Sequence, residues 1–210
     1  MTLWFATGNI HKKQELAAIL QAASPGTELL IPGEAGIGFA PEETGATFLE
    51  NALIKARALY RLAAAAGKAG PVIADDSGLC VDALGGRPGI YSSRYGSTGQ
   101  YGGGDKLGDG ERNALLLAEL GDNPLRNARF VCAMVLLLKE DRFFAVQETL
   151  EGELVSSPDA ARGEGGFGYD PILFIPGLGR TVAELSEGEK NRISHRGKAA
   201  RAIARILTGV

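Results

Sequence analysis

The chain is poor in the residues that build metal centres and covalent staples: two cysteines, two histidines and one tryptophan in 210 residues. Cys80 and Cys132 sit in apolar runs, with no second cysteine or histidine at metal-ligand spacing. This excludes a disulfide scaffold and a zinc finger and makes both core thiols of a reducing compartment. No apolar run approaches the roughly 20 residues that cross a bilayer. The opening Met1-Thr2-Leu3-Trp4-Phe5-Ala6-Thr7 is too short and uncharged for a signal peptide. A cytoplasmic protein with no membrane partner is expected. There is also no Walker P-loop, no internal repeat, no linker, and no serine or cysteine in a nucleophile's setting.

A formal charge of -3 argues against a dedicated nucleic-acid binder, so no nucleic-acid partner is expected. The charge is uneven, however. From Ser186 onward, Lys190, Arg192, Arg196, Lys198, Arg201 and Arg205 oppose only Glu187 and Glu189. A solvated helix face and a local anion site both account for that excess. With 45% hydrophobic residues the chain can bury a sizeable core, read here as one domain over 1–210.

The informative stretch is Val72-Ile73-Ala74-Asp75-Asp76-Ser77-Gly78-Leu79. Three apolar residues run into two adjacent carboxylates, which reads as a buried strand delivering acid to the rim of a sheet. Successive side chains on a strand alternate, so only one of Asp75 and Asp76 can face a given site. An ordinary Asp-Ser-Gly turn is the alternative.

Leu3 to Ala6 reads as a first strand, followed by a glycine turn and a helix carrying Leu16, Ile19 and Leu20. Lys12 and Lys13 lie in that helix's first turn, where the macrodipole disfavours cations, and an anionic ligand would resolve the conflict. A capped helix with solvated lysines is the other reading. Thr47-Phe48-Leu49-Glu50 is a capping box for a helix to about Ala66, with Leu49, Leu53, Ala56 and Tyr60 as its expected core stripe. Asn51 and Lys55 share one face of that helix. Gly96 to Gly110 reads as a mobile loop, and Glu111 to Leu120 as a helix. Phe130 to Leu138 reads as a central strand and Phe143 to Val155 as its hairpin partner.

Gly163-Glu164-Gly165-Gly166-Phe167-Gly168-Tyr169-Asp170-Pro171 superficially matches a dinucleotide fingerprint. The extended Pro171-Ile172-Leu173-Phe174 that follows contradicts it, because such a fingerprint must open a helix. Glycines around two aromatics suggest backbone approaching a flat ligand, with Phe167 or Tyr169 free to stack, or else a tight structural loop. Ser186-Glu187-Gly188-Glu189 is a second capping box, and Ser194 to Lys198 opens a terminal helix.

Six stretches together resemble the inosine triphosphate pyrophosphatase family, the dITP/XTP diphosphatases that clear deaminated purine nucleotides. They are Thr7-Gly8-Asn9-Ile10-His11-Lys12, Pro41 to Ala52 with Lys55-Ala56, Ala74 to Leu79, Leu84 to Ser92, Gly165 to Pro171 and Ser194 to Gly197. The glycine-rich 96–110 segment is the departure from the family's pattern.

The resemblance implies an α/β fold: an elongated mixed β-sheet flanked by helices, with two lobes, a central active-site cleft and a homodimer. It implies a purine nucleoside triphosphate substrate, split to monophosphate and pyrophosphate with Mg²⁺. By the same resemblance Thr7, Gly8, Asn9, Ile10, His11 and Lys12 hold the phosphate tail. Glu42 and Asp76 bind the metal, with Glu43 as the alternative to Glu42, and Asp76 also takes the proton of the attacking water. Lys55 and Ser77 lie beside the phosphates. Phe167, Gly168, Tyr169 and Asp170 position the base, and Lys190, His195 and Arg196 read its edge. Carboxylates for a hard cation and lysines for phosphate are what phosphoryl transfer requires. A Maf-like pyrophosphatase acting on pyrimidine or modified nucleotides and a non-catalytic nucleotide- or RNA-binding module are the rival readings. The acidic set disfavours the second, since bare carboxylates repel phosphate.

Overall fold

A computed structural model describes residues 2–23, 25–97 and 107–209. Most of the segment expected as a mobile loop, 98–106, therefore lies outside the described residues. The described strands form one seven-stranded mixed sheet in the order β2-β1-β3-β4-β5-β6-β7. The strands are β1 (Thr2–Phe5), β2 (Glu28–Leu30), β3 (Val72–Val81), β4 (Asn127–Lys139), β5 (Arg142–Leu154), β6 (Leu173–Ile175) and β7 (Arg180–Thr181). β1 pairs in parallel with both β2 and β3, whereas β5, β6 and β7 pair antiparallel. The helices are α1 (Ile10–Ala23), α2 (Phe48–Ala65), α3 (Asp109–Leu120), α4 (Glu187–Ile193) and α5 (His195–Gly209).

The chain divides into two compact units, one of residues 1–76, 132–148 and 194–210 and the other of 77–131 and 149–193. In the first unit, alternation along β3 creates two cores. Ile73 packs with Leu16, Leu20 and Ile203 of α1 and α5, while Val72 and Ala74 pack with Ala52, Ala56 and Leu59 of α2. The second unit buries Leu116 and Leu120 of α3 with Leu79, Phe130, Leu154, Tyr169 and Ile172.

Two expectations need correction. β3 does not end at the acids but continues to Val81, so Asp75 and Asp76 lie mid-strand. Ser77 and Gly78 carry turn propensity, yet a strand's neighbours override it. The buried stripe of α2 is Asn51, Ala52, Lys55, Ala56, Leu59 and Ala63, and Leu49 stands 37% exposed. The helix is rotated toward its polar pair because Asn51 and Lys55 have a buried partner on β3.

Candidate active site

Asp75 and Asp76 are 1% and 7% exposed, and buried carboxylates require counterions. Asp75 takes its charges on the face packed by α1 and α5. Lys12 Nζ donates to Asp75 Oδ1 at 3.1 Å and Oδ2 at 2.9 Å, and Arg196 Nε donates to Oδ2 at 3.3 Å. Burial would raise the Asp75 carboxyl, but Lys12, Arg196 and Lys55 overcome it and hold it well below the usual carboxylate range. Arg196 also donates to Glu15. Burial opposes its charge, yet Asp75 and Glu15 push its pKa up.

Lys12 and Lys13 are ion-paired with carboxylates of the chain, Asp75 and Glu34. The turn before α1 is capped by Asn9, whose Oδ1 accepts from the N–H groups of His11 at 2.9 Å and Lys12 at 3.2 Å. Thr7 Oγ1 in turn accepts from Asn9 N at 3.1 Å, while Gly8 and Ile10 are exposed. Arg196, expected at a base edge, is 3% exposed and ion-paired with both Asp75 and Glu15, as a buried guanidinium must be.

Asp76 faces α2. Lys55 Nζ donates to Asp76 Oδ1 at 2.7 Å, and Asn51 Nδ2 approaches Oδ2 at 3.4 Å. Asn51 Oδ1 accepts from Gly45 N at 2.8 Å, which fixes the amide's orientation and ties the 41–47 loop to the site. Of the two adjacent glutamates, Glu43 reaches Lys55, at 3.5 Å, whereas Glu42 is exposed. Burial raises the Asp76 carboxyl against the pull of Lys55, and the nearby Glu43 pushes the same way. Lys55 loses to burial but is raised overall by Asp76, Asp75 and Glu43, and stays an ammonium. Two carboxylates thus share one lysine. Ser77 follows directly and is half-buried.

The 163–171 segment belongs to the second unit. Asp170 Oδ2 accepts from Phe167 N at 2.8 Å and from Lys190 Nζ at 2.9 Å, and Lys190 lies 4.7 Å from the Phe167 ring centroid. A Cβ on Gly166, whose φ is +74°, would stand 2.0 Å from Asp170 Oδ2, so that glycine serves the loop's own packing. Tyr169 is not free to stack. It is 4% exposed, its hydroxyl donates to Ser92 O at 2.9 Å, and burial pushes its pKa up. Phe167 is half-buried. His195 is buried at the start of α5. A cavity of about 390 Å³ in this unit is lined by Asp109, Asn113, Ala161, Gly165, Phe167 and Gly168 among others.

The model of the Ham1 family matches residues 3–206. The chain belongs to the Ham1 family. A Treponema denticola protein named dITP/XTP pyrophosphatase is 48% identical over 209 residues, spanning 100% of both chains. A Leptospira biflexa protein of the same name is 42% identical, over 94% of this chain and 92% of its own. A solved HAM1 protein from Coxiella burnetii superposes with a TM-score of 0.85 at 36% identity, covering 100% of both chains.

For this Ham1 chain, the residues that sequence reasoning left out of the site are Asn51, Asp75 and Glu15. The four-residue spacing of Asn51 and Lys55 was the signal for the first, and the alternation of Asp75 with Asp76 for the second. Glu15 carries none, because its partner is 181 positions away. Among the described residues no helix is long and apolar enough to cross a membrane.

Proposed function

We propose that this chain hydrolyses deaminated purine nucleoside triphosphates, ITP, dITP and XTP, to monophosphate and pyrophosphate, removing them from the nucleotide pool. The observation that carries this reading is the split of Asp75 and Asp76. One carboxylate anchors Lys12 beside the turn before α1, and the other sits with Lys55 and a second carboxylate. The full-length relative named dITP/XTP pyrophosphatase supports the same substrate class.

The donor set fits magnesium. Asp76 and Glu43 offer hard oxygens, and Lys55 is the cation seen to pair with both. Among the described residues no three groups of metal-binding type converge, so water and phosphate oxygens would complete the shell, as magnesium prefers. When bound, the ion supplies charge neutralisation at the phosphate oxygens. Glu43 takes the role read for Glu42.

In the reaction a water oxygen bonds to phosphorus and the bridge between the α and β phosphoryl groups breaks, its oxygen leaving with pyrophosphate. Asp76 accepts the proton of that water. Lys55 holds Asp76 in place, while Lys12, Thr7 and the exposed turn at Gly8 and Ile10 hold the phosphate tail. Phe167 stacks on the base, and Lys190 and His195 face its edge. Arg196 fixes Asp75. The reading includes a cytoplasmic homodimer.

A panel of purine and pyrimidine triphosphates with magnesium, assayed for pyrophosphate, tests the reading. Release from ITP, dITP and XTP well above that from ATP, GTP and the pyrimidines is expected. Release confined to pyrimidine substrates, or from none, overturns it.

A further inference from the structure

The segment proposed to meet the base is gripped from outside itself. Gly168 N donates to Asp109 Oδ2 at 2.6 Å, and Gly168 O accepts from Asn113 Nδ2 at 3.0 Å. Asp109 and Asn113 are four residues apart on α3, so their side chains project from one face. Both backbone groups of one glycine are therefore held by one helix. Gly168 has φ +63°, and nothing lies within 4 Å of the position a Cβ would take. No steric contact at that position adds to the two hydrogen bonds.

The grip closes into a circuit. Asp109 pairs with Arg112, and Arg112 Nη1 donates to Ser93 O at 2.7 Å. The adjacent Ser92 O accepts from the Tyr169 hydroxyl at 2.9 Å, and Tyr169 follows Gly168 in the chain. Both sides of the half-buried Phe167 are thereby fixed: Asp170 holds its own N–H, and α3 holds the residue after it. Asn113 points the same way. It is 7% exposed, and its Oδ1 has no hydrogen-bond partner among the described residues. A buried amide left half-satisfied is costly, and what it gains here is the bond to Gly168.

We propose that Asp109 and Asn113 are positioning residues for base recognition, fixing Gly168 and through it the ring of Phe167 on which the base stacks. The proposal rests on the function proposed above. Neither residue touches the substrate in this account, so their loss should weaken base binding and base choice more than turnover.

The test combines steady-state kinetics on ITP and ATP with amide hydrogen exchange of the 163–172 peptide, in Asp109→Ala, Asn113→Ala and Asp109→Asn. Each alanine variant should raise KM for ITP roughly 5- to 10-fold, the effect of one lost hydrogen bond. It should also lower kcat less, narrow the ITP/ATP ratio of kcat/KM, and speed exchange in the peptide. Asp109→Asn keeps an oxygen that can accept from Gly168 N and should restore all of these. Asp109 is half-exposed, so its variants should fold even where Asn113→Ala does not. Unchanged exchange in both alanine variants, or faster exchange with KM and the ITP/ATP ratio unmoved, overturns the proposal. A wild-type enzyme that releases no pyrophosphate from ITP overturns instead the functional reading, and the exchange measurement still judges the grip.

Discussion

Asp75 and Asp76 are consecutive in one strand, yet they serve different lysines on opposite faces, Asp75 that of α1 and Asp76 that of α2. A two-residue period does with one strand what would otherwise need two elements. Lys12, Arg196 and Lys55 hold Asp75 well below the usual carboxylate range, while burial raises the neighbouring Asp76 from its ordinary value.

The acceptor role makes the first prediction. Asp76→Asn removes the charge at nearly constant volume and should lower kcat about 10²- to 10⁴-fold, the range commanded by a positioned proton acceptor. Circular dichroism should be unchanged. Near wild-type turnover at saturating magnesium would remove Asp76 from the chemistry.

Glu43 and Glu42 can be separated by metal titration. Glu43→Gln should raise the magnesium concentration for half-maximal activity roughly 10- to 100-fold, a range reached even by residues that only support metal ligands. Glu42→Gln should have a much smaller effect, because its side chain points to solvent. The reverse order would restore Glu42 as the ligand.

Arg196 and Asp75 should behave as one unit in folding. Arg196→Ala leaves a carboxylate at 1% exposure short of a partner and should cost about 3–5 kcal/mol. Arg196→Ala combined with Asp75→Asn should cost less than the sum of the single changes. The pH dependence has a defined sign. Asp75 has a depressed pKa in the folded state, so its contribution is present above the unfolded value of about 4 and is lost as pH falls below it. Urea unfolding of the metal-free protein should show stability falling below about pH 4, with a shallower fall in Asp75→Asn. Parallel curves would separate Asp75 from the acid transition.

Stacking on Phe167 yields a selective defect. Phe167→Ala should raise KM for ITP by roughly 5- to 150-fold, corresponding to about 1–3 kcal/mol per stacked base, with little change in the magnesium requirement. An unchanged KM would place the base elsewhere.

Much of this was legible in the sequence because it is local. The strand with opposed acids, the Thr47 cap, the hairpin after the hydrophobic run and the shared face of Asn51 and Lys55 all follow from periods of two or of three to four residues. The Thr47 cap is realised with Thr47 Oγ1 accepting from Glu50 N at 3.1 Å, while Glu50 Oε2 reaches past the cap to accept from Ala46 N at 2.6 Å. What stayed hidden depends on distant contacts. Arg196 finds Asp75 across 121 positions, and Asp109 finds Gly168 across 59, distances at which no sequence period operates. The choice between Glu42 and Glu43 turns on the conformation of an irregular loop, and the choice of Phe167 over Tyr169 on a hydroxyl satisfied at Ser92.

The central claim is a reaction and a substrate class together, and product analysis on one nucleotide reaches both. ITP incubated with the protein and magnesium, resolved by anion-exchange chromatography, should yield IMP and pyrophosphate in equal amounts, with ATP in a parallel reaction largely intact. IDP with orthophosphate as the main products, or ATP consumed as fast as ITP, would contradict the account.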